Sequence, residues 1–338
     1  MDKTRTGARP VDSAVVRTNG AAIPRCGVLL PNFDAVRSGG PPQIVAAARL
    51  AEELGFDAAW VGDHLACPAP GLDAPACLAA AAAVTRRIGL GFSVMLLGLR
   101  APAWAAKQLI TIDALSRGRL LLGVGVGGEF PDEFMAAGVP VTQRGARLDD
   151  ALHVIRDLLT GRPVDYEGRS QTIRSPGLEP FMPAPPPIYV GGRGEPALKR
   201  AARHGDMWLP MWLTPERVAE RSAQLTELAE LEGRPTPGTA LLVGVNVDDN
   251  RAHARAEAEA HITGQYKMGL SAIERWTLLD SIDGAVEQLD AYRQAGVREF
   301  VLMPLGGEPL TQYERLAEVR SRLLAGLAPH SAPAEARG

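Results

Sequence analysis

The chain has 338 residues, 46% apolar and 22% charged, with a formal net charge of −3. Such a chain is globular, large enough for one big α/β barrel or two ordinary domains, and carries no positive excess for nucleic acid or an anionic membrane. No apolar run approaches the ~18 residues of a membrane span, MDKTRTGARP lacks a signal-peptide core, and three cysteines fit neither a disulfide framework nor paired zinc knuckles, so a reducing cytoplasm is expected.

Residues 1–22 read as a loose tail. CGVLLP (26–31) is a first strand, and PQIVAAARLAEELG (42–55) is an amphipathic helix closed by glycine. AAWVGD (58–63) is a second strand, followed by an alanine-rich helix (73–85). IGLGFSVML (88–96) is a third, followed by a helix that opens on Pro102 and runs to residue 115. LLLGVGVG (120–127) is the fourth. A long, mostly helical segment (129–186) precedes strands at 187–192, 206–212, 241–247 and 299–305. Helices at 196–204, 215–232 and 284–295 fit among these strands, and a second long segment covers 248–283. Residues 329–338 read as another loose tail. The strands are continuous Val/Leu/Ile runs, as in a parallel sheet buried on both faces. Eight βα units in one chain predict an α/β (β/α)8 TIM barrel over 23–328, with insertions after strands 4 and 7 that are long enough to carry function.

In such barrels the active site lies at the carboxyl ends of the strands. That rule selects Asp63 and His64, Ser93, Glu129, the run Gly191-Gly192-Arg193, and Asn246. It sets aside Ser116-Arg117-Gly118-Arg119 as a helix C-cap with surface arginines at the opposite rim. Of six histidines only His64 ends a strand, so no convergent ligand set predicts a metal. The sequence VGGRGEP (190–196) turns a strand into a helix, where open amides at residues 191–194 and the helix dipole would grip a phosphate, with Arg193 as a charged donor. An ordinary tight turn is the plainer reading. GVGVGG (123–128) matches a dinucleotide-binding pattern, but it lies mid-chain and no helix follows at the required place. In a barrel, Gly125 and Gly127 would instead open room at the rim for a flat ring.

Taken in order, the stretches 27–33, 51–65, 87–152, 186–208 and 286–302 resemble the luciferase-like monooxygenase superfamily of flavin- or deazaflavin-dependent oxidoreductases, over residues 26–324. The resemblance implies FMN or coenzyme F420 across the top of the barrel, its phosphate beside strand five. It also implies a non-proline cis peptide at Ser93-Val94 behind the ring, against which stands the reading of an ordinary strand tail. The expected cofactor contacts are Asn32, Ser93, Val94, Gly125, Gly127, Gly191, Gly192 and Arg193. In W-x-x-D-H (60–64), His64 resembles the family's histidine near the reactive face, able to give or take a proton. A purely structural histidine is the alternative. Asp63 and Glu129 complete the catalytic candidates, Asp63 more as an orienting or capping group. Glu133 is a substitute for Glu129 if the extra Gly128 shifts the register. The stretches 60–64, 99–107 and 133–140 look most like the deazaflavin branch, which transfers hydride to or from a small organic substrate. An FMN-dependent monooxygenase fed by a separate reductase is the alternative reading, and a non-catalytic flavin-binding barrel is another. The resemblance, with the apolar helices of the first half, also leads us to expect a homodimer.

Overall fold

The computed structural model describes residues 17–18, 21–33 and 43–327. Eight strands form its centre: β1 Arg25–Leu29, β2 Ala58–Val61, β3 Gly89–Phe92, β4 Leu120–Val124, β5 Ile188–Gly191, β6 Met207–Leu209, β7 Gly238–Val247 and β8 Glu299–Pro304. Each pairs in parallel with the next, and β8 pairs with β1, so the sheet closes into a barrel. β2, β3 and β4 are buried along their whole length, which is why their sequences run apolar without alternation.

The barrel interior is filled by Ala58, Trp60, Leu121, Tyr189, Leu209, Ala240 and Val301, with Trp60 and Tyr189 edge to face at 5.1 Å. Trp60 fits because its flanking strands carry no side chain beside it. A Cβ at Gly91 would come within 2.2 Å of the indole, and one at Gly27 within 2.5 Å. Outside the strands, helices α1 Ile44–Glu53, α2 Ala74–Val84 and α3 Pro102–Ser116 cover the first half. In the insertion after β4 lie α4 Pro131–Ala136, α5 Arg144–Leu159 and the antiparallel hairpin Val164–Glu167 with Thr172–Ser175. Then come α6 Glu195–His204 and α7 Pro215–Leu231. The insertion after β7 holds α8 Arg251–Tyr266 and a short strand, Leu278–Asp280, that pairs in parallel with the end of β7. α9 Ile282–Gln294 and α10 Pro309–Ala325 complete the outer ring.

Several expectations need correction. β2, β3 and β4 stop two to four residues short of the predicted ends, because the continuous ladder is interrupted at the rim; beyond the interruption Met95 still bridges Val124 in parallel, its amide donating to Gly123 O (2.8 Å) and its carbonyl accepting from the Gly125 amide (3.1 Å). β7 starts at Gly238, three residues early. Arg117 caps α3 in a left-handed conformation, as a C-cap should, but Arg119 is not on the surface. Its guanidinium is buried and donates to Thr85 O, Thr85 Oγ1, Ile88 O and Ser116 O, tying α2 and α3 to the strand ends. Of the expected N-terminal tail, Arg17–Thr18 pairs antiparallel with Ala21–Ala22. Residues 1–16 and the C-terminal tail 329–338 lie outside the described residues. No helix among the described residues is long and apolar enough to cross a membrane.

Candidate active site

The carboxyl ends of the strands surround a cleft of about 250 Å³. Ten of the residues singled out from sequence line it: Asp63, His64, Ser93, Val94, Gly125, Gly127, Glu129, Gly191, Gly192 and Arg193. Asn246 does not: it is fully buried, and its Nδ2 donates to Glu257 Oε2 (2.8 Å) and Leu305 O (3.0 Å). Asn32 does not reach the cleft. Its side chain is fully buried behind the wall, where Nδ2 donates to Gly62 O at 2.9 Å and so fixes the turn that presents His64.

Past Val61 the chain leaves the barrel, and Asp63 and His64 diverge. Asp63 is 5% exposed. Oδ2 accepts from the Leu96 amide (2.8 Å), and the Arg100 guanidinium clasps both oxygens, Nη1 to Oδ2 at 2.6 Å and Nη2 to Oδ1 at 2.9 Å. A bidentate, largely buried pair of this kind fixes geometry. Asp63 therefore locks the loop after β3 to the loop after β2. We place it as a positioning residue.

Of the two glutamates considered from sequence, Glu133 rather than Glu129 reaches His64. Glu129 is exposed at the edge of the cleft, whereas Glu133, in the first turn of α4, is fully buried and accepts from His64 Nδ1 (3.1 Å) and the Leu65 amide (3.2 Å) through Oε2. Glu133 Oε1 has no hydrogen-bond partner among the described residues. A carboxylate in the first turn of a helix also benefits from the positive end of the dipole. The pairing places the proton on Nδ1 and leaves Nε2 free of protein hydrogen bonds among the described residues. Phe130 packs edge-on against the imidazole at 5.0 Å, and Phe33 lies 5.7 Å away on another side.

The floor is built at Ser93 and Val94, whose connecting peptide bond is cis. Ser93 Oγ is buried, with no hydrogen-bond partner among the described residues. Val94 projects between two glycines: a Cβ at Gly125 would stand 2.4 Å from Val94 Cγ2, and one at Gly191 2.9 Å from Cγ1. Gly125 thus makes room for this side chain, which in turn forms the surface on which a ring would lie. Gly127 (φ +59°) turns the chain past Leu96 towards α4.

After β5 the chain reverses at Gly192 (φ +118°), a conformation that favours glycine. The Gly192 amide is engaged by Leu209 O (3.3 Å), so it is not among the open donors expected from sequence. The amides of Arg193 and Gly194 make no hydrogen bond among the described residues and stand immediately ahead of α6. This is a place for an anion. The Arg193 side chain leans away from it, over Trp212 (5.5 Å) and Trp276 (5.6 Å).

An aromatic arc roofs the cleft: His64, Phe130, Tyr266 and Trp212 are in successive contact at 5.0 to 6.3 Å between ring centres. Phe130 comes from the first insertion and Tyr266 from the second, and neither was visible from sequence as a site residue. Arg100 was missed likewise, although LRAPAWAAK (99–107) was noticed as a pattern. Among the described residues no group of three or more His, Cys, Asp or Glu could hold a metal ion.

A family model described as luciferase-like monooxygenase matches residues 25–325. An F420-dependent glucose-6-phosphate dehydrogenase of Nocardia farcinica is 30% identical over 324 residues, covering 85% of this chain and 96% of that protein. An uncharacterized protein of Mycobacterium tuberculosis is 30% identical over 213 residues, 57% of this chain and 73% of its own length. Among solved structures, an F420-dependent secondary alcohol dehydrogenase in complex with an F420-acetone adduct superposes with a TM-score of 0.76 at 20% identity, covering 89% of this chain and 99% of that one. A monooxygenase from Streptomyces bottropensis gives 0.77 at 24%, covering 90% and 100%. These two likenesses are of fold.

Proposed function

The chain belongs to the luciferase-like monooxygenase family, and from that premise we propose that it is an oxidoreductase that holds coenzyme F420 across the carboxyl end of the barrel and moves a hydride to or from a small organic substrate. The observation that carries this reading is the His64–Glu133 pair, set in the wall of the cleft beside the Ser93-Val94 floor. Support for F420 over FMN comes from the relative of 30% identity that is named as F420-dependent over 96% of its length.

The residues present fit such a group. Val94 offers an apolar platform, Ser93 Oγ is a buried hydroxyl with no hydrogen-bond partner among the described residues, and open amides at Arg193 and Gly194 suit a phosphate. When bound, the deazaflavin supplies a carbon that accepts or donates hydride. The chain's part is to manage the accompanying proton and exclude water. Glu133 fixes the His64 tautomer and stabilises positive charge on the ring by a charge-assisted hydrogen bond. Nε2 then takes the proton of a substrate hydroxyl as hydride leaves, or returns it in the reverse direction. The aromatic arc walls the reacting atoms from solvent and favours a compact substrate with an apolar face.

The test is anaerobic titration of the protein with F420 and with FMN, followed by oxygen uptake in the presence of the reduced cofactors. The reading expects micromolar or tighter binding of F420, weak binding of FMN and no substrate-dependent oxygen consumption. Preferential FMN binding with oxygen uptake, dependent on an added reductase, would replace it by the monooxygenase reading. Binding without turnover by the wild-type chain would favour the non-catalytic barrel.

A further inference from the structure

Beside the cleft, and sharing Arg193 and Trp212 with it, lies an open groove of about 480 Å³ whose charged lining is four arginines and no carboxylate: Arg193, Arg217, Arg221 and Arg275. They come from three separate parts of the chain. Arg193 follows the glycine turn after β5, Arg217 and Arg221 stand one turn apart on α7, and Arg275 lies in the insertion after β7. Two like charges at i and i+4 repel in the folded helix, and the chain as a whole is net negative, so the cluster is not a by-product of a basic surface.

The guanidiniums are only lightly neutralised by the protein. Arg217 pairs with Glu220, and Arg221 meets the neutral Gln224 Oε1 at 2.8 Å. Arg193 and Arg275 have no carboxylate within ion-pair distance among the described residues. Both lean on indoles instead: Arg275 lies 4.1 Å from the ring centre of Trp276, and Arg193 lies between Trp276 and Trp212. Stacking of this kind holds a guanidinium plane in place while leaving its N–H edge open to an anion. The Lys199 ammonium holds the neighbouring Glu195 carboxyl, in the first turn of α6, below its ordinary range, and Arg221 adds a smaller pull in the same direction. The groove therefore begins where the phosphate turn ends.

We propose that this groove binds a polyanionic chain attached to the phosphate end of the bound cofactor, a series of carboxylates such as the oligoglutamyl tail of F420. FMN, which ends at its phosphate, would leave the groove empty. This rests on the F420 reading above and deepens it. The shared chemistry, several anionic groups in a row, could also be met by a phosphorylated substrate, and the experiment separates the two.

Dissociation constants are measured by fluorescence for F420 carrying several glutamates and for its tail-less form, with wild type and with the double variant Arg217→Gln/Arg221→Gln. Thermal melting checks that the variant is folded. Each screened guanidinium–carboxylate contact is modest, so two or three in series predict about a tenfold preference for the tailed form. That preference should shrink at high salt and vanish in the variant, which should still bind the tail-less form like wild type. Equal affinity for both forms in wild type, or a preference that survives in the variant, would overturn the proposal. Binding of glucose 6-phosphate to the F420-loaded protein that is lost in the variant would overturn it in favour of a substrate phosphate. If neither deazaflavin form binds, the F420 reading itself fails and takes this one with it. A preference that is absent while the tail-less form binds well removes the groove alone.

Discussion

Each residue of the cleft wall is held by a partner far away in sequence. Asp63 is held by Arg100, His64 by Glu133, and Val94 by the gaps at Gly125 and Gly191. This is what sequence reading could and could not reach. The rim rule selected His64, Ser93 and the glycine turn because those are local: a polar residue or a turn at the end of an apolar run. Arg100 was not singled out and Glu133 was named only as a substitute for Glu129; their pairing depends on how the loop after β3 and helix α4 fold back, and no spacing encodes that. The Val94 slot gives a direct check. Gly125→Ala places a methyl 2.4 Å from Val94 Cγ2. We expect it to destabilise the protein by about 1–3 kcal/mol and to weaken cofactor binding. Adding Val94→Ala should return much of the stability, so that a double-mutant cycle by chemical denaturation shows strong coupling. Additive losses would mean that the two positions do not share space.

At the scale of elements, the barrel strands were legible because burial on both faces removes polar alternation, whereas their ends were not, because at the rim the continuous ladder gives way to isolated bridges such as Met95 with Val124 and Met211 with Leu242. Helix α6 illustrates how an element serves the site from both ends. Its first turn follows the open amides, and His204 in its last turn is half-buried, with Asp149 and His153 of α5 and Arg234 nearby. Burial, with Arg203 nearby, pushes the His204 imidazole down to about 4. Its folded value therefore lies below the unfolded value of ~6.5, and the unfolded chain binds more protons between the two. The stability contributed by neutral His204 is fully present above pH ~6.5 and is lost as pH falls towards 4. Melting temperature measured from pH 7.5 to 4.5 should drop less steeply for His204→Gln than for wild type. Parallel curves would show that His204 carries none of the acid sensitivity.

For the whole molecule, two insertions that interrupt the eight-fold beat turn a generic barrel into this site. The first supplies Phe130 and Glu133, the second Tyr266, Arg275 and Trp276. The length of these segments was apparent in the sequence. Their convergence over one cleft was not, because it depends on the closure of the barrel bringing β4 and β7 to the same rim.

The central claim is that this cleft performs proton-coupled hydride transfer through His64, and one paired measurement addresses it: F420 affinity and the single-turnover rate of the bound cofactor with a substrate that supports turnover, in wild type and His64→Asn. The account predicts near-equal affinity and a rate lower by about 10²–10⁴-fold. A variant that turns over at the wild-type rate would contradict it, whatever its stability.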